Sequence, residues 1–218
     1  MLQLDDNIVA LSFARDTKAG LEIPRKNRRM ATHADLICAI ALSTNARMAG
    51  GSLSSIPAVD LRIARTGFCY SLFVERVGEG REHWYGPFED DITHAYQYGT
   101  RHDGAVPAIA PLLLYKKEFK STSGMRSNYN HKRALQLQRI FPETAKINVR
   151  RAKSCGAGGP RIFHTMLADA IRNPLVVKDH ELYQKITNRL QELCEEWAAL
   201  NRKYNREKMQ RRVEKLMN

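Results

Sequence analysis

Residues 68–98, FCYSLFVERVGEGREHWYGPFEDDITHAYQY, decide how the chain is read. The first part has a period of two. Phe68, Tyr70, Leu72 and Val74 fall on one face and Cys69, Ser71 and Phe73 on the other, the pattern of a half-buried strand. Gly78-Glu79-Gly80 supplies turn residues, so Glu82 to Tyr85 is expected to return as the second strand of a hairpin. Pro87 has no amide to give a ladder and ends the pairing. Asp90 and Asp91 suit a helix N-terminus, and Ile92, Ala95, Tyr96 and Tyr98 carry the helix onward.

Downstream of this unit, Ile109 to Phe119 reads as a third, well-buried strand. Upstream, Thr32 is expected to cap a helix with Asp35 in its first turn and a stripe of Leu36, Ile37, Ile40 and Ala41; Gly50-Gly51 is expected to stop it. Residues 1–30 begin with a mixed apolar segment and end in PRKNRR, a basic loop or arm. Beyond Phe119 the sequence suggests no strand. STSGMRSNYN is a loop, residues 131–141 fit a helix, SCGAGG is a hinge, and Pro160 stands at the first position of a helix running to Asn173. The fold class is therefore α+β: a β-hairpin–helix–strand domain, residues 1–120, and then a helical C-terminal half. That half comprises a basic region, residues 121–178, and a long terminal helix, residues 179–218.

Phe68 to Tyr98, with Trp84-Tyr85-Gly86-Pro87-Phe88 at the junction of sheet and helix, resembles two kinds of ββα module. One is the AP2-like arm-binding domain of phage and plasmid integrases, which implies a sheet lying in a DNA groove. The other is the SPOR repeat, which implies peptidoglycan binding. Charge weighs against the DNA role for this unit: Arg76 and Arg81 are outnumbered by Glu75, Glu79, Glu82, Glu89, Asp90 and Asp91. The residues themselves read as a structural corner, in which Phe88 tucks under the helix and Pro87 turns the chain out of the sheet.

Net charge is +12, distributed unevenly: residues 1–110 sum to −1 and residues 111–218 to +13. The stretch 115–165 alone has 12 basic residues against Glu118 and Glu143. Such asymmetry is the footprint of a polyanion-binding surface. The candidate contacts begin with Lys116, Lys117, Lys120 and Arg126, continue through Lys132, Arg133 and Arg139, and end with Arg150, Arg151, Lys153 and Arg161. Tyr115, Phe119, Tyr129, Phe141 and Phe163 are interleaved with them as candidates for stacking on bases.

The terminal helix carries its own pattern. Tyr183, Leu190, Trp197 and Tyr204 are seven apart, with Ile186, Leu193 and Leu200 between them, which makes an a/d seam over three heptads. Glu207 and Arg211 then break it. The seam predicts either a coiled coil with a second copy or a partner, or a helix packed on its own domain.

Signals for chemistry are sparse. Cys38, Cys69, Cys155 and Cys194 form no Cys-x-x-Cys pair, and the seven histidines form no ligand pair at metal spacing, so neither a metal nor a cofactor is expected. Scattered thiols, an acidic start in place of a signal peptide, and no apolar run near the ~20 residues of a membrane helix suggest a cytoplasmic protein without membrane insertion. Asp103 with Glu118-Phe119-Lys120 matches the Asp…Glu-x-Lys spacing of Mg²⁺-dependent nucleases. With 13 Glu and 13 Lys in the chain, roughly one Glu-x-Lys arises by chance. The glycine-rich run 150–161 could cradle a phosphate but lacks the Gly-Lys-Ser/Thr of a nucleotide loop.

The expected function is a non-enzymatic nucleic-acid-binding accessory or regulatory protein of a plasmid or phage, gripping phosphates through its C-terminal half. The expected partner is DNA, RNA or an acidic protein surface, with a homodimer as one outcome of the seam. The alternatives are an inhibitor that binds another protein, as in fertility inhibition of conjugation or anti-restriction, and the Mg²⁺ nuclease.

Overall fold

Among the described residues, ten strands and four helices follow one another. They are β1 (Leu2–Leu4), β2 (Ile8–Phe13), β3 (Arg15–Thr17), β4 (Gly20–Glu22), α1 (Met30–Ser43), β5 (Met48–Leu53), β6 (Ile63–Thr66), β7 (Leu72–Glu75), α2 (Asp90–Arg101), β8 (Pro107–Lys116), α3 (residues 135–140), β9 (Ala145–Arg151), β10 (Pro160–Met166) and α4 (His180–Met217). The structure is a computed structural model. It describes residues 1–4, 8–13, 15–17, 20–22, 29–53, 63–66, 69, 71–78, 80–84, 90–101, 104–116, 132, 135–143, 145–151, 160–166 and 173–217.

The main sheet runs β1-β7-β5-β8-β2, with β6 beside the start of β8. All its pairings are antiparallel except β5 with β8. Alternation along the strands divides the interior. Leu11, Phe13, Ala49, Leu72, Leu112 and Leu114 face Leu36, Ile37 and Ile40 of α1 and Ile186, Leu190 and Leu193 of α4. Met48, Phe73 and Val106 belong to the opposite layer, with Ala95 and Tyr98 of α2 and half-buried Trp84. A third cluster joins Ile92 and Tyr96 of α2 to Leu137 and Phe141 after the loop, and to Ala145 at the root of β9.

An irregularity in β8 serves this division. Gly51 pairs with Ile109, but Ser52 pairs with Leu113, so three residues bulge between them. An odd insertion inverts the alternation, and Ile109, Leu112 and Leu114 all reach the core shared with α1. Pro111, which lacks an amide, lies inside the bulge, where a proline is tolerated. The bulge brings backbone close to Gly51: a Cβ there would lie 2.9 Å from the Leu112 carbonyl oxygen. Gly50-Gly51 therefore sits in a central strand because its neighbours leave no room, and does not stop α1 as the sequence suggested.

Helix α1 ends earlier, at Ser43, with Thr44 extended. Thr44 Oγ1 donates to the Ile40 carbonyl at 2.7 Å, and the Arg76 guanidinium donates to the Ala41 and Thr44 carbonyls at 2.6 and 3.0 Å. A cation from β7's end thus meets the negative pole of a helix with no basic residue in its own last turn. At the other end Arg29 occupies the cap position without a side-chain cap bond, so Thr32 lies inside the helix. The corner after α1 also holds the start of α4. Asn45 N donates to the Val176 carbonyl at 2.9 Å, Lys178 N donates to that of Ser43 at 2.8 Å, and Asp179 Oδ1 caps α4 by accepting from Leu182 N at 2.9 Å.

The mixed α+β class, the strand–helix–strand order of β7, α2 and β8, and the long terminal helix are as the sequence implied. The hairpin is not. β7 is hydrogen-bonded to β1 and β5, and residues 81–84 carry no strand. The strand partners came from residues 1–4 and 48–53, distant in sequence. The region past Phe119 is also not wholly helical. Residues 145–151 and 160–166 form an antiparallel pair, where no strand, and from Pro160 a helix, were expected; the SCGAGG hinge lies outside the described residues. Ala145, Ile147 and Val149 alternate with polar residues, and Pro160 opens β10, a position where its missing amide is harmless.

Candidate nucleic-acid interface

The basic region is anchored through α3. Leu137 and Phe141 are buried against α2, with Phe141 edge-on to Tyr96 at 4.6 Å between ring centroids. This removes Phe141 from the residues available to stack on bases. Exposed Lys132 and Arg139 flank the anchor. From Ala145 the chain enters β9, whose ladder with β10 runs from Ala145 opposite Met166 to Arg151 opposite Pro160. The root is in the core, where Ala145 is 2% exposed, whereas Val149 further along β9 is 67% exposed. The far end brings Arg150 directly opposite Arg161, with Arg151 next to them. Lys116 is separate, half-buried in the main sheet opposite Ile8. Lys117, Lys120, Arg126, Arg133 and Lys153 lie outside the described residues, as do Asp103 and Glu118 of the nuclease spacing and the Tyr85-Gly86-Pro87-Phe88 junction.

The seam of α4 divides. Ile186, Leu190 and Leu193 are buried in the main core, and Tyr183 and Trp197 pack half-buried on it. Trp197 stacks on Phe13 at 6.2 Å, with the Arg29 guanidinium 5.5 Å from its ring. Leu200 and Tyr204 are exposed. Cys194 and Ala198, which the heptad pattern missed, are buried. Their signal is present in the sequence: 186, 190, 193, 194, 197 and 198 follow the 3.6-residue stripe of a helix packed on a globular body, not the 3.5 period of a supercoil.

The densest polar cluster is one the sequence did not reveal. Glu75 is fully buried, and its Oε1 accepts from Tyr98 Oη at 2.6 Å, His94 Nε2 at 2.8 Å and Arg81 Nε at 3.3 Å. Trp84 lies flat on His94, 4.0 Å between centroids and 9° between planes. Tyr98 Oη accepts from Glu82 N at 3.1 Å. Burial alone would raise the Glu75 carboxyl, but the bonds from Tyr98 and His94, the His94 charge and Arg81 outweigh it and hold it below its usual 4.5. Burial first, and then the bond to Glu75, push the Tyr98 hydroxyl up. The arrangement clamps residues 81–84 onto β7 and α2. Its one trace in the sequence is a carboxylate at an inward position of β7, two residues after Phe73.

Among the described residues no group of three or more His, Cys, Asp or Glu could hold a metal ion, and no helix is long and apolar enough to cross a membrane. No family model matches the chain, and neither does any curated protein or solved structure.

Proposed function

We propose that this chain is a non-enzymatic nucleic-acid-binding accessory protein that holds the phosphate backbone through its basic C-terminal half. The observation that carries the reading is the placement of Arg150 opposite Arg161 at the far end of a hairpin that leaves the core at Ala145. Like charges directly opposed weaken a ladder by roughly 0.2–1 kcal/mol. A bound phosphate converts that repulsion into attraction for both arginines. The surrounding stretch 115–165, with its 12 basic and two acidic residues, supplies the wider field.

The test is fluorescence anisotropy with labelled DNA and RNA over a salt series. The wild type binds at low salt, and affinity falls steeply as salt rises, because each neutralised phosphate releases counterions. The Arg150→Glu, Arg161→Glu double variant loses affinity and flattens the log–log slope by about 2. Absence of binding at low salt overturns the reading and directs the search to a protein partner by pull-down. Plasmid DNA incubated with Mg²⁺ and the pure protein stays intact; cleavage that vanishes in Glu118→Ala would replace this proposal with a nuclease.

A further inference from the structure

Helix α4 is 38 residues long, but its last buried residue is Ala198. Residues 199–217 extend about 28 Å at the rise of an α-helix. All of them are exposed except Asn201 and Glu207, which are half-buried. Because the rod continues a helix already packed on α1, it needs no separate nucleation and is ordered before any partner arrives.

Six of the seven cations on this rod fall on two sides. Lys208, Arg211, Arg212 and Lys215 follow i, i+3, i+4, i+7 and share one side. Arg202 and Arg206 are four apart and share another. From Arg206 to Lys215 is nine residues, about two and a half turns, so these two point in opposite directions, while the nearer edges of the two sides, Arg202 and Arg212, are about 80° apart. Glu207 and Glu214 are seven apart, on a third side that Lys203, four before Glu207, shares; there Glu207 meets Arg211 in an exposed 3.7 Å pair of little energetic weight. On the side away from the acids lie Asn205, Met209 and Leu216, all exposed.

A bilayer or an acidic helix touches a rod on one side only. Two basic sides, with both acids and the lone Lys203 on a third and small polar and apolar groups on the fourth, match a rod lying between two walls of phosphate. The major groove of B-form DNA is about 12 Å wide and admits a helix with its side chains; that of A-form RNA is too narrow. We infer that residues 199–217 of α4 seat in the major groove of double-stranded DNA. Lys208, Arg211, Arg212 and Lys215 then face one strand, Arg202 and Arg206 the other, and Glu207 and Glu214 face solvent. The inference rests on the nucleic-acid reading above and adds to it the form of the polymer and the element that enters it.

The experiment compares a duplex DNA, its single strand and a duplex RNA of the same sequence, using the full chain. One variant changes Lys208, Arg211, Arg212 and Lys215 to Ala, and a second changes Arg202 and Arg206 to Ala. The wild type prefers duplex DNA. The first variant lowers the salt slope on duplex DNA by about 3.6 and the second by about 1.8, one counterion increment for each lost contact. Unchanged circular dichroism and urea midpoints confirm that both fold. Duplex binding with full slope in either variant overturns the groove assignment and leaves the phosphate reading intact, as does equal loss on duplex RNA. Binding of the wild type to vesicles of anionic lipid but to no nucleic acid overturns both.

Discussion

His33 is a buried histidine with a measurable consequence. Its ring lies 4.5 Å from that of Phe13, and Nε2 donates to the Ser12 carbonyl at 3.2 Å. Burial lowers its pKa from 6.5 to about 4, and backbone hydrogen bonds to Ser12 and Arg29 recover only part of that. The folded state holds the ring neutral, while the unfolded chain protonates near 6.5. Stability is therefore complete above that pH and is lost as pH falls toward 4, by roughly 2 kcal/mol at pH 5. Urea unfolding of His33→Gln should show a flatter pH dependence than the wild type over this window. An unchanged pH dependence would mean that the ring is solvated. Glu75 titrates lower. Its carboxyl is depressed below 4.5, so its contribution is present above that value and fades as pH falls through the lower folded one. Glu75→Ala removes the shared acceptor of three donors and should cost about 3 kcal/mol in the urea midpoint at neutral pH.

Among the elements, α4 separates what burial decides from what charge decides. Leu193→Ala opens a cavity under α1 and should cost roughly 2–5 kcal/mol. Leu200→Ala, two turns further on and 54% exposed, should change stability by less than about 0.5 kcal/mol. The wild type should be monomeric by light scattering at high concentration. Only Leu200 and Tyr204 of the seam stay exposed for a second copy, and the seven basic residues that follow Leu200 repel one. A dimer lost on changing Leu200 and Tyr204 to Lys would show that two residues suffice. The helix itself was legible because its apolar period persists over many turns, and so were the core of α1 and strand β8. The hairpin at 68–85 was misread because a turn signal such as Gly78-Glu79-Gly80 reports only local geometry, whereas β7 chose partners from residues 1–4 and 48–53. β9 was missed although Ala145, Ile147 and Val149 carry the period of two, because the run is short; β10 was missed because Pro160 suits a helix start and the adjacent Ile162 and Phe163 break the alternation. The Arg150–Arg161 juxtaposition follows from that register and could not be reached without it.

For the whole molecule, the sequence left open whether the terminal helix packs on its own domain or pairs with another chain; in the structure one apolar cluster joins β2, α1, β5, β8 and α4. Ile186, Leu190 and Leu193 close that cluster over α1. Each contributes roughly 1.5–3 kcal/mol by burial, so together they rival the 5–15 kcal/mol that holds a domain folded. Two truncations follow different courses for this reason. A chain ending at Asn201 keeps every buried residue of α4 and the Asp179 cap, and should melt with the wild type's cooperativity while its salt slope on duplex DNA falls by the rod's share and the contacts of residues 115–165 remain. A chain ending at Lys178 leaves Leu36, Ile37 and Ile40 facing water and should not fold cooperatively, as read by near-ultraviolet circular dichroism and by heat capacity through the melt. A Lys178 chain that melts like the full protein would show that the sheet and α1 form a complete core without α4, and that the packing of Ile186, Leu190 and Leu193 only holds the basic rod in place.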